Sequence, residues 1–181
     1  MSRRGITAIE TEYDGYRFRS RTEARYAVLF NALGIEWEYE PEGYQLGPHR
    51  RYLPDFLLPT MGERGAWLEV KGQEPTEAEE RRCRDLANGT GRRVLLAIRA
   101  PFPPQLDCPP KSGSILCYYP DVQKPDRGLA FFECELCGHI DVAWPGLAYG
   151  CFCELPETAT PSRTPRILAA YAACRSERFG T

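Results

Sequence analysis

Tyr52-Leu-Pro-Asp55-Phe-Leu-Leu58 and, after the turn-rich Pro59–Gly65, Ala66-Trp-Leu-Glu69-Val-Lys71-Gly72 form the stretch from which the fold is read. In the second run, alternation with a period of two places Trp67, Glu69 and Lys71 on one face of a strand and Ala66, Leu68 and Val70 on the other. A carboxylate and an amine then stand roughly 7 Å apart along one side. The first run has the same period, so Asp55 shares a side with Leu53 and Leu57, residues that favour burial. An unpaired carboxylate there is costly. A hard divalent cation held between Asp55 and Glu69 offsets that cost, since Mg²⁺ takes one or two carboxylates together with water and phosphate oxygens. Lys71 would stand beside the ion's water and phosphate. Pro59–Gly65 is short enough to make the two runs an antiparallel hairpin, across which the two acids meet.

With 181 residues and 43% apolar side chains, the chain suits one ordinary domain with a small appendage. A net charge of −2 argues against a protein that coats nucleic acid non-specifically. No apolar run approaches the length of a membrane span, and Met1-Ser-Arg-Arg-Gly5 is not followed by the apolar segment of a secretory signal. The expectation is a cytoplasmic protein, with no membrane partner. In that compartment its eight cysteines are thiols or metal ligands rather than disulfides.

Working outward, Ile6–Glu12, a turn at Asp14-Gly15 and Tyr16–Phe18 predict an opening hairpin. Ser20-Arg-Thr-Glu23 has the spacing of a capping box and starts a helix over 21–33 that stops at Gly34. Glu23 begins that helix's apolar stripe. It either closes the cap alone or points towards Asp55 and Glu69 as a third acid. Ile35–Glu40 predicts a strand ending at Pro41, Gly43–Leu46 continues the sheet, and His49-Arg50-Arg51 leads into the Tyr52 strand. Thr76 and Glu79 cap a second helix ending near Asn88-Gly89, and Arg92–Ile98 is a buried strand.

This order, helix, three antiparallel strands, helix, strand, resembles the αβββαβ core of the PD-(D/E)xK nuclease superfamily. Pro54-Asp55, thirteen intervening residues and Glu69-Val70-Lys71 match its motif. The similarity is closest to the branch of phage endonuclease I resolvases and TnsA-like transposase subunits. There Ser20 and Glu23, Glu40-Pro41, Tyr52–Phe56 and Glu69–Lys71 have counterparts, and the resemblance covers about residues 15–98. It implies an α/β, restriction-endonuclease-like core with a mixed sheet that hydrolyses phosphodiesters in DNA with Mg²⁺ or Mn²⁺, in the setting of a phage or mobile element. Asp55, Glu69 and the Val70 carbonyl would hold the metal, Lys71 would orient water and stabilise the charge on phosphorus, and Glu23 would complete the metal's surroundings. Arg17, Arg19, Arg21, Arg50 and Arg51 are candidate backbone contacts, or else solvated surface charges. Resolvase relatives act as dimers, so a homodimer is a further expectation. Two rivals stay open: an RNA hydrolase, and a non-catalytic nucleic-acid- or protein-binding module on the same scaffold.

Residues 1–99 are thus expected to form the nuclease core. Residues 100–126, rich in proline apart from one strand at Ile115–Tyr119, form an expected linker. Residues 127–181 form a zinc-ribbon-like hairpin and a helix over Thr164–Phe179. Cys134-Glu-Leu-Cys137-Gly138 lets two thiolates converge on one tetrahedral ion, and Cys151-Phe-Cys153, thirteen residues on, supplies a second pair. That second pair is tightly spaced, so His139 could replace one cysteine. Structural zinc, an iron–sulfur cluster and unmetallated thiols are the readings. Cys83, Cys108, Cys117 and Cys174 read as packed or incidental.

Overall fold

The structure, a computed structural model, describes residues 8–45, 51–104, 114–145, 148–149, 151, 153, 158–159 and 162–180. In chain order the elements are β1 (Thr11–Tyr13), β2 (Tyr16–Phe18), α1 (Arg21–Leu33), β3 (Glu38–Tyr39), β4 (Tyr44–Gln45), β5 (Arg51–Tyr52), β6 (Phe56–Leu58), β7 (Ala66–Lys71) and α2 (Glu77–Thr90). β8 (Arg93–Ile98), β9 (Ile115–Tyr118), β10 (Asp126–Glu133), β11 (Ile140–Ala143), β12 (Ala148–Tyr149), β13 (Thr158–Ala159) and α3 (Pro165–Ser176) follow.

Local chemistry sets the boundaries of these elements. Asp14 and Gly15 both take positive φ and close the β1–β2 hairpin, whose twist matches such a turn. The Ser20 hydroxyl accepts from the Glu23 amide to open α1, and Gly34, at φ 68°, ends it. Thr76 and Glu79 form a reciprocal capping box at α2. That helix runs through Gly89 and stops at Gly91, one turn's fraction beyond the expected end.

A seven-stranded mixed sheet lies at the centre, in the order β11-β10-β9-β8-β7-β6-β3. Its one parallel pair is β7–β8, bridged by α2; the other neighbours are antiparallel. The apolar residues of β7 and β8 divide cleanly between the faces. Ala66, Leu68, Val70, Leu95 and Ala97 join α1 and α3 in one core, while Trp67, Val94, Leu96 and Ile98 pack with Cys83, Leu86 and Ala87 of α2 in the other. The result is three layers, helix on sheet on helix.

Several expectations are revised. The Ile35–Glu40 strand shrinks to Glu38–Tyr39: Ile35 is buried against the end of α1, and Glu40 turns the chain at φ 45°. Pro54, which has no amide proton to give a ladder, splits the Tyr52 strand into β5 and β6. β5 pairs with β4 in a separate two-stranded ribbon, so β4 does not continue the main sheet.

The expected partition at residues 99/100 and 126/127 also changes. β9, inside the proline-rich stretch, pairs with β8, and β10 and β11 extend the same sheet. β10 is buried over Gly128–Phe132, and α3 packs on α1. Strands buried on both faces complete a core and do not form a detachable appendage. Residues 1–7, Leu46, His49, Arg50 and Cys108 lie outside the described residues.

Candidate active site and cysteine cluster

Asp55 stands at the approach to β6, where extrapolating the β6–β7 register places it opposite Glu69. Its carboxyl Oδ2 accepts from the Val70 backbone N–H at 2.8 Å, and Oδ1 accepts from the Arg19 guanidinium at 3.2 Å. Arg19 also pairs with Glu40, whose amide donates to the Asp55 carbonyl at 2.9 Å. Glu69 is buried at 4% exposure; one of its carboxylate oxygens accepts from Lys71 Nζ at 2.6 Å. Its other oxygen, Oε2, is buried with no hydrogen-bond partner among the described residues. Glu79, on the first turn of α2, stands 3.8 Å from Lys71 Nζ.

The electrostatics follow from this crowding. Burial, then the neighbouring charges of Glu69 and Glu23, push the Asp55 carboxyl up to about 8, despite the Val70 amide and Lys71 pulling the other way. Burial opposes the charge on Lys71, yet the Glu69 carboxylate holds its ammonium above the ordinary lysine range. Tyr52, whose phenol is close to Glu69, is raised by burial and by that same negative charge. The site is a desolvated excess of acids balanced by one lysine and one arginine.

Glu23 is placed differently from the expected third acid. Its Oε1 accepts from the Ser20 hydroxyl at 2.6 Å, and its Oε2 accepts from the Tyr39 hydroxyl at 2.7 Å and the Arg19 amide at 3.2 Å. Both oxygens are occupied within the protein, so Glu23 acts on Asp55 through its charge. Val70 gives its N–H to Asp55, a bond that leaves its carbonyl, the group the resemblance implied as a metal ligand, uninvolved. Tyr39, whose hydroxyl holds Glu23, carries no role in the sequence reading, whereas Tyr52 enters it as the first residue of the Tyr52–Phe56 match. Tyr39 stands directly before Glu40-Pro41, and Tyr52 opens the decisive stretch. Arg19 turns inward to Asp55, while Arg17 pairs with Glu10 and is exposed.

Compared with family models, curated proteins and solved structures, the chain matches none. Its chemistry must be read from its own side chains.

The second site is compact. Cys134, Cys137, Cys151 and Cys153 bring their sulfurs within 4.8 Å of one another, the one such group of potential metal ligands among the described residues. Cys134–Cys153 and Cys137–Cys151 sulfurs are 3.6 Å apart. That is too long for a disulfide, about 2.05 Å. It is close to the ~3.8 Å edge of a tetrahedron with metal–sulfur bonds of about 2.3 Å. Four thiolates without an oxygen or nitrogen donor are a closed, structural set, compatible with zinc. His139 is not a member; its carbonyl accepts from the Cys134 amide at 2.8 Å.

The turn that aims the first pair is built from Gly138 at φ 70°, whose amide donates to the Cys134 carbonyl at 2.8 Å. Burial works against a Cys134 thiolate, but the amides of Cys137 and Leu136 offset it and bring the thiol down to about 7. Arg166 of α3 reaches Glu133 and the Gly138 carbonyl, each at 3.1 Å, and the Leu33 carbonyl at the end of α1. It ties the cysteine turn to the α1–α3 layer, a role with no sequence signal, because its partners lie far apart in the chain.

Proposed function

We propose that the chain is a divalent-metal-dependent deoxyribonuclease of the PD-(D/E)xK type, stiffened by a zinc ion in its four-cysteine site. The observation that carries the reading is the buried carboxyl pair at the C-terminal end of β7, beside the one lysine of Glu69-Val70-Lys71. The progression α1, β3, β6, β7, α2, β8 supports it, because three antiparallel strands between two helices and a final parallel strand are the order the superfamily resemblance implies. So does the location, since open mixed sheets place ligands at the carboxyl ends of their parallel strands.

The donor set fits a hard cation. Glu69 has a buried carboxylate oxygen without a partner, and burial together with the charges of Glu69 and Glu23 disfavours the ionised form of Asp55. A cation relieves both. Asp55 and Glu69 would hold it, with water completing its shell, because Glu23 is occupied elsewhere. When bound, Mg²⁺ or Mn²⁺ supplies Lewis-acid polarisation of a phosphate and acidifies water. In this chain Lys71 provides a compact positive charge beside the acids, suited to orienting a nucleophile and to stabilising charge on phosphorus. Glu69 fixes the ammonium, Val70 fixes Asp55, and Tyr39 keeps Glu23 from swinging in.

A second reading has its own support: a nucleic-acid-binding module that keeps this scaffold without hydrolysis. The three acids do not converge as one ligand group, and Arg19 rests on Asp55. One experiment separates the two. Pure protein is incubated with supercoiled, linear and four-way-junction DNA, with Mg²⁺ or with EDTA. Cleavage in Mg²⁺ that is lost in Asp55→Asn and Lys71→Ala supports the enzyme. Binding without cleavage by the unaltered chain supports the module.

A further inference from the structure

Five arginines collect on the surface between α1 and α3. Arg21 and Arg25 lie on the first two turns of α1, Arg175 and Arg178 at the end of α3 and just past it, and Arg163 just before α3. They line two hollows of about 530 and 550 Å³, and Arg25 and Arg175 line both, so the hollows adjoin along a groove. None of the five pairs with a carboxylate among the described residues. Elsewhere on this chain the surface arginines Arg17, Arg81, Arg99 and Arg127 do. Arg51, Arg64 and Lys124 are likewise exposed without a carboxylate partner among the described residues, and the five between α1 and α3 differ in standing together.

Stability accounts for only part of the arrangement, since Arg175 in the last turn of α3 suits the macrodipole while Arg21 does not. A cation at a helix N-terminus opposes the macrodipole, as Arg21 does, and like charges at i, i+4, as in Arg21 and Arg25, repel. Two members are nevertheless held in place. Arg25 donates to the Cys174 carbonyl and sits over the Phe179 ring at 5.6 Å, and Arg163 donates to the Pro104 carbonyl at 2.8 Å. The other three are exposed. Guanidinium groups standing together recognise phosphates with bidentate geometry, and the one carboxylate lining these hollows, Glu177, is outnumbered by five arginines.

We propose that this α1–α3 groove binds the sugar-phosphate backbone of duplex DNA and leads it to the Asp55–Glu69 site. The inference rests on the nucleic-acid reading above and adds a surface to it. Continuity with that site favours DNA over another polyanion. The groove starts on the turn of α1 that carries Glu23, two residues after Arg19, which touches Asp55. Contacts of this kind position the duplex and do not read its sequence.

The test is binding of a fluorescent 30-base-pair duplex to the full chain in EDTA, where nothing is cut, over a series of salt concentrations. Arg163→Gln/Arg175→Gln/Arg178→Gln is expected to bind at least about tenfold more weakly and to lower the log–log salt slope by nearly one per lost phosphate contact. Arg178→Gln alone, beyond the last turn of α3, repeats the test without touching a packed residue. Unchanged affinity and slope in both variants would overturn the proposal. So would arginine-dependent binding to phosphatidylserine vesicles or polyglutamate with none to DNA. Cleavage in Mg²⁺ with arginine-independent binding removes the groove alone. Arginine-dependent binding by a chain that never cleaves removes the nuclease reading alone.

Discussion

The Val70 amide donates to the Asp55 carboxylate at 2.8 Å, and this one bond sets the buried acid of β6 against the strand that carries Glu69 and Lys71. It fixes Asp55 where burial and like charges push its proton affinity up, from an ordinary 3.8 to about 8. The folded chain is therefore expected to keep a proton between pH 4 and pH 8 that the unfolded chain releases. The sign follows: this group's contribution is fully present at low pH and is lost as pH rises through about 8. In EDTA, the stability of the unaltered chain relative to Asp55→Asn should fall by about 3 kcal/mol from pH 5 to pH 7, since each pH unit over which the folded chain holds one extra proton corresponds to about 1.4 kcal/mol. Urea denaturation at the two pH values checks it; a pH-independent difference would mean that Asp55 is ionised in the apo fold. Asparagine keeps an oxygen for the Val70 amide, so the comparison isolates the charge.

Lys71 and Glu69 form the second half of the site, at 2.6 Å and mostly shielded from water. Lys71→Met removes the ammonium but keeps most of the stem, leaving a buried carboxylate without its counter-charge. The expected loss in EDTA is about 3 kcal/mol, as when one partner of a buried pair is removed. Glu69→Gln/Lys71→Met should recover most of it, because both charges are then gone. Denaturation of the two singles and the double gives the coupling; additive losses would show that the pair contributes little to folding.

The cysteine site is open to direct assay. Purified protein should carry about one zinc per chain and show no visible iron–sulfur absorbance. Cys137→Ser breaks the tetrahedron at its exposed corner and should release the metal while the β7–β8 centre persists. A loss of about 3 kcal/mol would lower the melting temperature by roughly 10 °C in a domain of this size. Metal analysis with a thermal scan, before and after chelation, reads both; metal-free protein with an unaltered midpoint would dismiss the structural ion.

Much of this was legible wherever a short segment carries its own instructions. The ends of α1 were written by Ser20 and Gly34, the first hairpin by Asp14-Gly15, and the alternation of β7 by Ala66–Lys71. What was not legible depends on distant partners. Nothing within Ile115–Tyr118 tells that it pairs with β8, and a proline-rich flank made it look like part of a linker. Glu23 illustrates the same limit inside the site. Its spacing allowed a cap or a metal ligand, and Tyr39, sixteen residues away, decides by taking one of its oxygens.

The Arg93–Asp141 pair gives a last prediction, on whether the C-terminal strands are part of the core. Arg93 opens β8 and Asp141 lies on β11 at the far edge of the sheet, yet the two side chains meet with only 12% and 4% exposure. Asp141 also accepts from the Val142 amide at 2.7 Å, so its carboxylate has a defined place. Arg93→Met leaves that buried charge facing an apolar side chain and should cost about 3–5 kcal/mol, with Arg93→Met/Asp141→Asn far less damaging. Because β8 is the centre of the nuclease-like core and β11 adjoins the cysteine turn, the loss should appear in a single unfolding transition seen by both tryptophan fluorescence and zinc release. Two separated transitions, with the half that holds α1, β7 and α2 unaffected by Arg93→Met, would restore an independent C-terminal module. A single shared one makes the cysteine hairpin a structural member of the domain that holds Asp55 and Glu69, so that loss of its metal would be transmitted to the acids through β10, β9 and β8.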